Sequence, residues 1–123
     1  MGARVPRPPL IFRVNWFRTG PDGRYLWPGY AENFRVLRWI VDRCAGRGAA
    51  RETPAGLIPG PGALALDGLD LPSGTIEGLL DVDRAGWRDE AGAIAKHFDR
   101  FGKGLPTELW QEHAALVGRL GGR

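Results

Sequence analysis

From Gly46 to Gly74 the chain reads GRGAARETPAGLIPGPGALALDGLDLPSG, and no sustained helical or strand period of apolar residues survives in it. Proline removes a backbone donor, and glycine enlarges the conformational freedom that folding must give up. No long helix or central strand can cross such a stretch, so regular structure is pushed to the two flanks. One short strand is predicted inside it, at 56–58. Its run GPGALA formally matches a dinucleotide fingerprint through Gly60, Gly62 and Ala65. Pro59 and Pro61 break the strand–turn–helix that the fingerprint needs, and a surface loop is the reading kept. Nineteen Gly and ten Pro among 123 residues extend the argument to the whole chain, which should be rich in loops. The length suggests one domain at most, and 43% hydrophobic with 25% charged residues fits a chain that buries a core.

In the first flank, LIFRVNWF alternates Leu10, Phe12, Val14 and Trp16 with Ile11, Arg13, Asn15 and Phe17, which predicts a strand. RTGPDGR marks a tight turn, and YLW a short returning strand stopped by Pro28. From Ala31 the period changes. Phe34, Leu37, Ile40 and Val41 form the apolar stripe of a helix that runs to about Cys44 and is stopped by Gly46 and Gly48. On this reading Cys44 lies on the inner side, as a small core residue. The helix would begin directly after PGY, so that free backbone amides and the positive dipole end face an aromatic loop.

The second flank carries a short helix at 75–80 and two longer ones. Trp87, Ala91, Ile94, Phe98 and Phe101 share one stripe over 84–101, with the DVD run at Asp81–Asp83 starting that helix. Pro106 opens the last helix, lined by Leu109, Leu116, Val117 and Leu120.

Charge is uneven. Residues 1–51 hold ten Arg against Asp22, Glu32 and Asp42, a net +7, whereas residues 52–123 come to −4. An anionic partner, nucleotide or nucleic acid, suits the first half; an Arg-rich solvated surface fits it equally well. The single Cys44 excludes an internal disulfide framework and fits a reducing compartment. No apolar run is long enough to span a bilayer, and the start MGARVPRPPLIF is too short in apolar residues for a signal peptide. The expected location is cytoplasmic, with no membrane partner.

Catalytic and metal constellations are thin. His97 and His113 fall on different helices without ligand spacing to Cys, His or carboxylate, and no GxxxxGK[ST] run occurs. No residue is assigned a catalytic or metal-ligating role. The aromatic loop YLWPGYAEN stands apart. Phe17 at a strand end, Tyr25 across the turn, Tyr30 on the loop and Asn33 on the first helical turn could form a slot for a planar heterocycle. Stacking contributes about 1–3 kcal/mol per base and does not discriminate between bases. An amide such as Asn33 offers a donor and an acceptor to a base edge. A minor aromatic core beneath the turn is the competing reading, and chemistry alone leaves both open.

These residues also carry a resemblance. VNWFR, LWPG and EN, in that order and spacing, resemble the C-terminal region of GTP-dependent phosphoenolpyruvate carboxykinases, and TPAGLIP, LDGLDL and LPTEL resemble the tail that follows. The likeness runs from about Pro8 to the end. It implies a mixed α/β fold, a C-terminal fragment of a nucleotide-binding domain with short strands and an aromatic loop followed by three to four helices. Residues 1–9 would be a non-native-looking or disordered start, and 10–123 part of the GTP-binding domain. It implies that Phe17 and Tyr30 sandwich guanine with Tyr25 beside them. Ala31, Glu32 and Asn33 would complete the nucleotide-binding set, Asn33 and the backbone from Tyr30 onward reading the base edge. Tyr25 and Tyr30 depart from the family's Phe, and Ala31 from its Gly.

The family converts oxaloacetate and GTP to phosphoenolpyruvate, GDP and carbon dioxide at the entry to gluconeogenesis, with manganese or magnesium. Its metal ligands, phosphate loop and substrate-binding arginines lie upstream of the matched region. The resemblance therefore implies GTP or GDP as nucleotide and the remainder of the enzyme as partner. It implies no metal ligands and no catalysis by this chain alone, and only marginal folding in isolation, because apolar faces would lose their neighbours. The alternatives are a basic aromatic module for single-stranded nucleic acid, which the resemblance disfavours, and a functionless gene remnant.

Overall fold

The computed structural model describes residues 6–121. Residues 1–5, part of the start set apart at 1–9, lie outside the described residues. The elements are helix α1 (Asn33–Cys44), strands β1 (Ala50–Thr53) and β2 (Gly56–Pro59), and helices α2 (Thr75–Leu79), α3 (Arg84–Asp99) and α4 (Thr107–Gly121). Short 3-10 turns at Tyr30–Glu32 and Gly102–Gly104 precede α1 and α4. The fold is mixed α/β, with one two-stranded antiparallel sheet, β1–β2. Two compact units result: the chain up to Ala50 with Pro59–Leu79, and Arg51–Ile58 with the chain from Leu80 onward.

In the first unit α1 is the organising element. It ends as its sequence predicts: Gly46 takes φ 73°, its amide donates to the Arg43 carbonyl at 3.1 Å, and the Arg47 amide donates to the Asp42 carbonyl at 2.8 Å. That pair of bonds is a Schellman motif, which needs a residue tolerant of the left-handed region where Gly46 stands. The Arg47–Asp42 ion pair at 3.0 Å closes the same corner.

The buried face of α1 differs from the expected stripe. Trp39 is buried, with Val36 and Ile40 half-buried, while Phe34, Leu37, Val41 and Cys44 are exposed. Both sets have helical spacing. The selection is made by what α1 meets: Phe12 lies edge-on to Trp39 at 5.9 Å, and the Trp39 indole donates to the Ala49 carbonyl at 2.9 Å. The largest ring takes the covered side, and Cys44 is an exposed thiol rather than a core residue. Leu64, from the Gly-rich crossing, is also buried in this unit.

No strand covers residues 10–17 among the described residues. An extended segment becomes a strand only when its N–H and C=O groups meet a ladder partner. Here the pairing shrinks to one antiparallel bridge, Thr19 with Tyr25. The alternation still shows in part, since Phe12 and Trp16 are half-buried and Ile11, Arg13, Asn15 and Phe17 are exposed.

The second unit holds the β1–β2 hairpin segment and the α3–α4 pair. The predicted strand at 56–58 is present; its partner β1 went unread because ARET has no apolar alternation. Ala91 on α3 and Leu120 on α4 are buried, and Phe98, Trp110 and His113 form an edge-to-face trio with centroids 5.3–6.1 Å apart. His113 Nε2 bonds the Ala91 carbonyl at 2.8 Å, which gives this imidazole a structural role. A mainly apolar cleft of about 300 Å³ between the two helices is lined by Ala91, Gly92, Ala95, Val117 and Leu120 among others, and no chemistry is assigned to it.

Helix α3 starts where the DVD run predicts. The Asp83 carboxylate accepts from the amides of Ala85 at 3.0 Å and Gly86 at 3.1 Å. Asp83→Ala should cost about 0.5–2 kcal/mol through loss of this N-cap. A thermal melt that leaves the variant level with the parent chain would remove the cap from the account.

Candidate functional site

The site residues all fall in the first unit, around one reversing loop and the turn that starts α1. The loop is built by short-range bonds. The Asn15 side chain accepts from the Phe17 amide at 3.0 Å and fixes the bend at Trp16–Phe17. The Leu26 amide donates to the Arg18 carbonyl at 2.8 Å, and the Gly20 amide to the Arg24 carbonyl at 2.9 Å. Asp22 accepts from the Arg24 amide at 3.0 Å, as an aspartate in a tight turn commonly does. These bonds bring Phe17 and Tyr25 side by side, ring centroids 5.9 Å apart and planes 64° from parallel.

After Leu26 the chain turns inward and out again. Trp27 is only 7% exposed, and its ring lies 5.9 Å from that of Trp16. The Pro28–Gly29 corner follows, with Gly29 at φ 127° and ψ −177°. Glycine alone occupies that region without strain. The corner delivers the Tyr30–Glu32 turn, in which the Glu32 amide donates to the Gly29 carbonyl at 3.1 Å and the Asn33 amide to the Tyr30 carbonyl. Two amides expected to be free at the helix start are therefore engaged. Gly29→Ala should cost about 1–3 kcal/mol, because a Cβ is forced into that backbone region. The Tyr30 turn should reorient with it, and unchanged Tyr30 chemical shifts in the variant would contradict this.

Phe17 is 70% exposed, Tyr25 65% and Tyr30 92%. Phe34, placed by periodicity on the core stripe, is exposed as well. Apolar rings held on bonded backbone and left open to solvent differ from a minor core, in which rings cover one another. The minor core exists, but it is made by Trp16, Trp27, Phe12 and Trp39. Ala31 lies on the exposed turn, and no non-glycine residue among those described has positive φ, so the methyl of Ala31 meets no backbone penalty.

Glu32 and Asn33 have defined partners. Arg35 Nε donates to the Glu32 carboxylate, and Arg35 also reaches the Ala65 carbonyl, so Glu32 is tied down beneath the turn. Asn33 Oδ1 accepts from the Trp27 indole at 2.8 Å. An indole can only donate, so the amide oxygen faces Trp27 and the NH2 end is the part left over. A buried donor without a partner costs about 1–3 kcal/mol, and that cost favours this orientation. The role of Trp27 was not legible in the sequence. The contact is made by the Pro-Gly corner turning the chain back, which no helical or strand period describes.

Among the described residues no group of three His, Cys, Asp or Glu side chains could hold a metal ion. No residue of this chain is assigned to the manganese or magnesium implied by the resemblance, and no chemistry is routed through it. No described helix is long and apolar enough to cross a membrane.

A family profile described as the phosphoenolpyruvate carboxykinase C-terminal P-loop domain matches residues 1–119. The chain belongs to this carboxykinase family. Curated relatives, each the GTP form of phosphoenolpyruvate carboxykinase, agree. The protein of Anaeromyxobacter dehalogenans strain 2CP-C is 43% identical over 120 residues, covering 98% of this chain. That of Neocallimastix frontalis is 49% identical over 113 residues and 91% of the chain, and that of Treponema pallidum strain Nichols 45% over 121 residues and 98%. The matched part is 18–20% of each of these carboxykinases, so the chain spans about a fifth of their length. The family's domain name includes a phosphate loop, yet no GxxxxGK[ST] sequence lies within these 123 residues.

Proposed function

We propose that this chain is the guanine-binding portion of a GTP-dependent phosphoenolpyruvate carboxykinase, with Phe17, Tyr25 and Tyr30 as the stacking rings and Asn33 as the base-edge reader. One observation carries the reading: three rings stand in solvent on hydrogen-bonded backbone, Phe17 and Tyr25 side by side and Tyr30 on the turn that leads to Asn33, an amide of defined orientation. Solvated apolar rings on a fixed scaffold have a use when a flat apolar face arrives to cover them. Ala31 and Glu32 complete the turn, Glu32 by anchoring it through Arg35.

The reaction of oxaloacetate with GTP to give phosphoenolpyruvate, GDP and carbon dioxide belongs, on this proposal, to the complete enzyme in the cytoplasm. Phosphoryl transfer depends on positioned phosphates and bound divalent metal. The chain spans about a fifth of the length of the carboxykinases it matches, and base recognition is the part of the reaction assigned to it here. Leu10, Ile11, Phe34, Leu37 and Val41 are exposed, and further parts of the carboxykinase are the proposed cover for them.

Titration of the chain with GDP, read by the fluorescence of Trp16 and Trp27, tests the assignment. The expected result is saturable binding of GDP in preference to ADP, with modest salt dependence. Equal binding of the two nucleotides would reject guanine recognition. Tight binding to single-stranded nucleic acid that collapses steeply with salt would favour the basic aromatic module instead.

A further inference from the structure

We infer that Trp27 is a positioning residue that makes the site select guanine over adenine, by locking the Asn33 amide through its indole N–H. The inference rests on the guanine-binding reading above and deepens it. Its basis is the 2.8 Å bond from Trp27 Nε1 to Asn33 Oδ1, together with the burial of Trp27. An indole nitrogen carries one donor and no acceptor. Its partner at that distance must accept, so the Asn33 oxygen is committed to Trp27 and the NH2 group is the end available to a ligand.

At the ring edge that distinguishes the purines, guanine carries a carbonyl oxygen and adenine an amino group. An amide held NH2-outward donates to the guanine O6. The same amide meets the adenine amino group donor to donor. Turning the amide over would offer adenine an acceptor, but the buried Trp27 N–H would then lose the Asn33 oxygen, its only partner among the described residues. Stacking rings alone do not discriminate in this way, since every base presents a π-face. The discrimination is held one step behind the ligand, in a residue that the ligand does not touch.

The Pro28–Gly29 corner accounts for how the two side chains meet. Trp27 points into the small core against Trp16, whereas Asn33 opens α1 after the 3-10 turn. The bond therefore spans the whole reversal and couples the amide to a ring whose own position is set by packing.

The test is the full 123-residue chain with Trp27→Phe, titrated with GDP and with ADP. Phenylalanine keeps an aromatic ring in the core and removes the donor. Once the amide turns freely, GDP should weaken by no more than about twofold, since either orientation is then open to it. ADP should tighten by about tenfold, because its bound state no longer strands a buried donor. General structural damage would weaken both nucleotides together and leave their ratio unchanged. An unchanged ratio in a folded variant overturns the inference and leaves the guanine site standing. If the parent chain shows no preference for GDP, or if Phe17→Ala binds GDP as tightly as the parent does, the underlying reading falls and this inference falls with it.

A measurement on the unsubstituted chain decides the matter should Trp27→Phe fail to fold. The indole N–H of Trp27, assigned in a nitrogen-15 spectrum, should exchange slowly with solvent both before and after GDP is added. The Asn33 NH2 resonances should move on binding GDP and not on adding ADP. Rapid exchange of the indole proton, or Asn33 resonances indifferent to GDP, would overturn the proposal.

Discussion

Trp39→Ala is expected to unfold much of the first unit, with a loss of about 3–5 kcal/mol. Trp39 is 6% exposed, carries the edge contact from Phe12 and donates to the Ala49 carbonyl. Removing it opens a cavity the size of an indole and frees the segment before the aromatic loop from α1. Against a typical domain stability of about 5–15 kcal/mol the loss is severe. It should lower the thermal midpoint by at least about 10 °C in a unit of this size. Trp39→Phe separates packing from bonding: it should cost about 1–3 kcal/mol through the lost indole bond and a smaller ring, while the Ala49 carbonyl keeps its bond from the Gly60 amide at 3.2 Å. A Trp39→Ala melt coincident with that of the parent would show that α1 is not held by this face.

The second large effect concerns binding. Phe17→Ala should weaken GDP by about 1–3 kcal/mol, a factor of about five to 150, and Tyr30→Ala by a similar amount. The two rings are 70% and 92% exposed, so neither substitution removes core packing, and the melts of both variants should stay near that of the parent. This combination, affinity lost and stability kept, separates a ligand platform from an aromatic core. If either variant binds GDP as the parent does while remaining folded, that ring has no part in the site. The hydroxyls of Tyr25 and Tyr30 give a finer check. Tyr30→Phe should retain affinity within about threefold, because the stacking face is unchanged and the exposed hydroxyl remains hydrated.

Much of the fold was legible in local sequence chemistry. The DVD run placed the start of α3, Gly46 the end of α1, and Pro106 the start of α4. Caps and corners depend on backbone groups a few residues apart, so the necessary information lies within each segment. The aromatic loop was readable for the same reason, since its turn is closed by bonds among residues 15–26. Strand pairing was less accessible. The alternating segment 10–17 found no ladder, and ARET paired without any alternation to announce it. Partners for a strand come from elsewhere in space, and periodicity does not name them.

Helix α1 shows where the division falls. Its residues determined a helix, its length and its stop, because those follow from propensity, spacing and a glycine that tolerates positive φ. They also wrote two apolar stripes, Phe34–Leu37–Val41 and Val36–Trp39–Ile40, either of which periodicity would accept as the inner face. Only tertiary structure chose between them, through Phe12 and the Ala49 carbonyl on Trp39. The same holds at the candidate site. Sequence supplied the rings and the amide, while the direction in which the Asn33 amide faces was decided by a buried indole six residues away, a contact that exists only once the chain has turned back on itself.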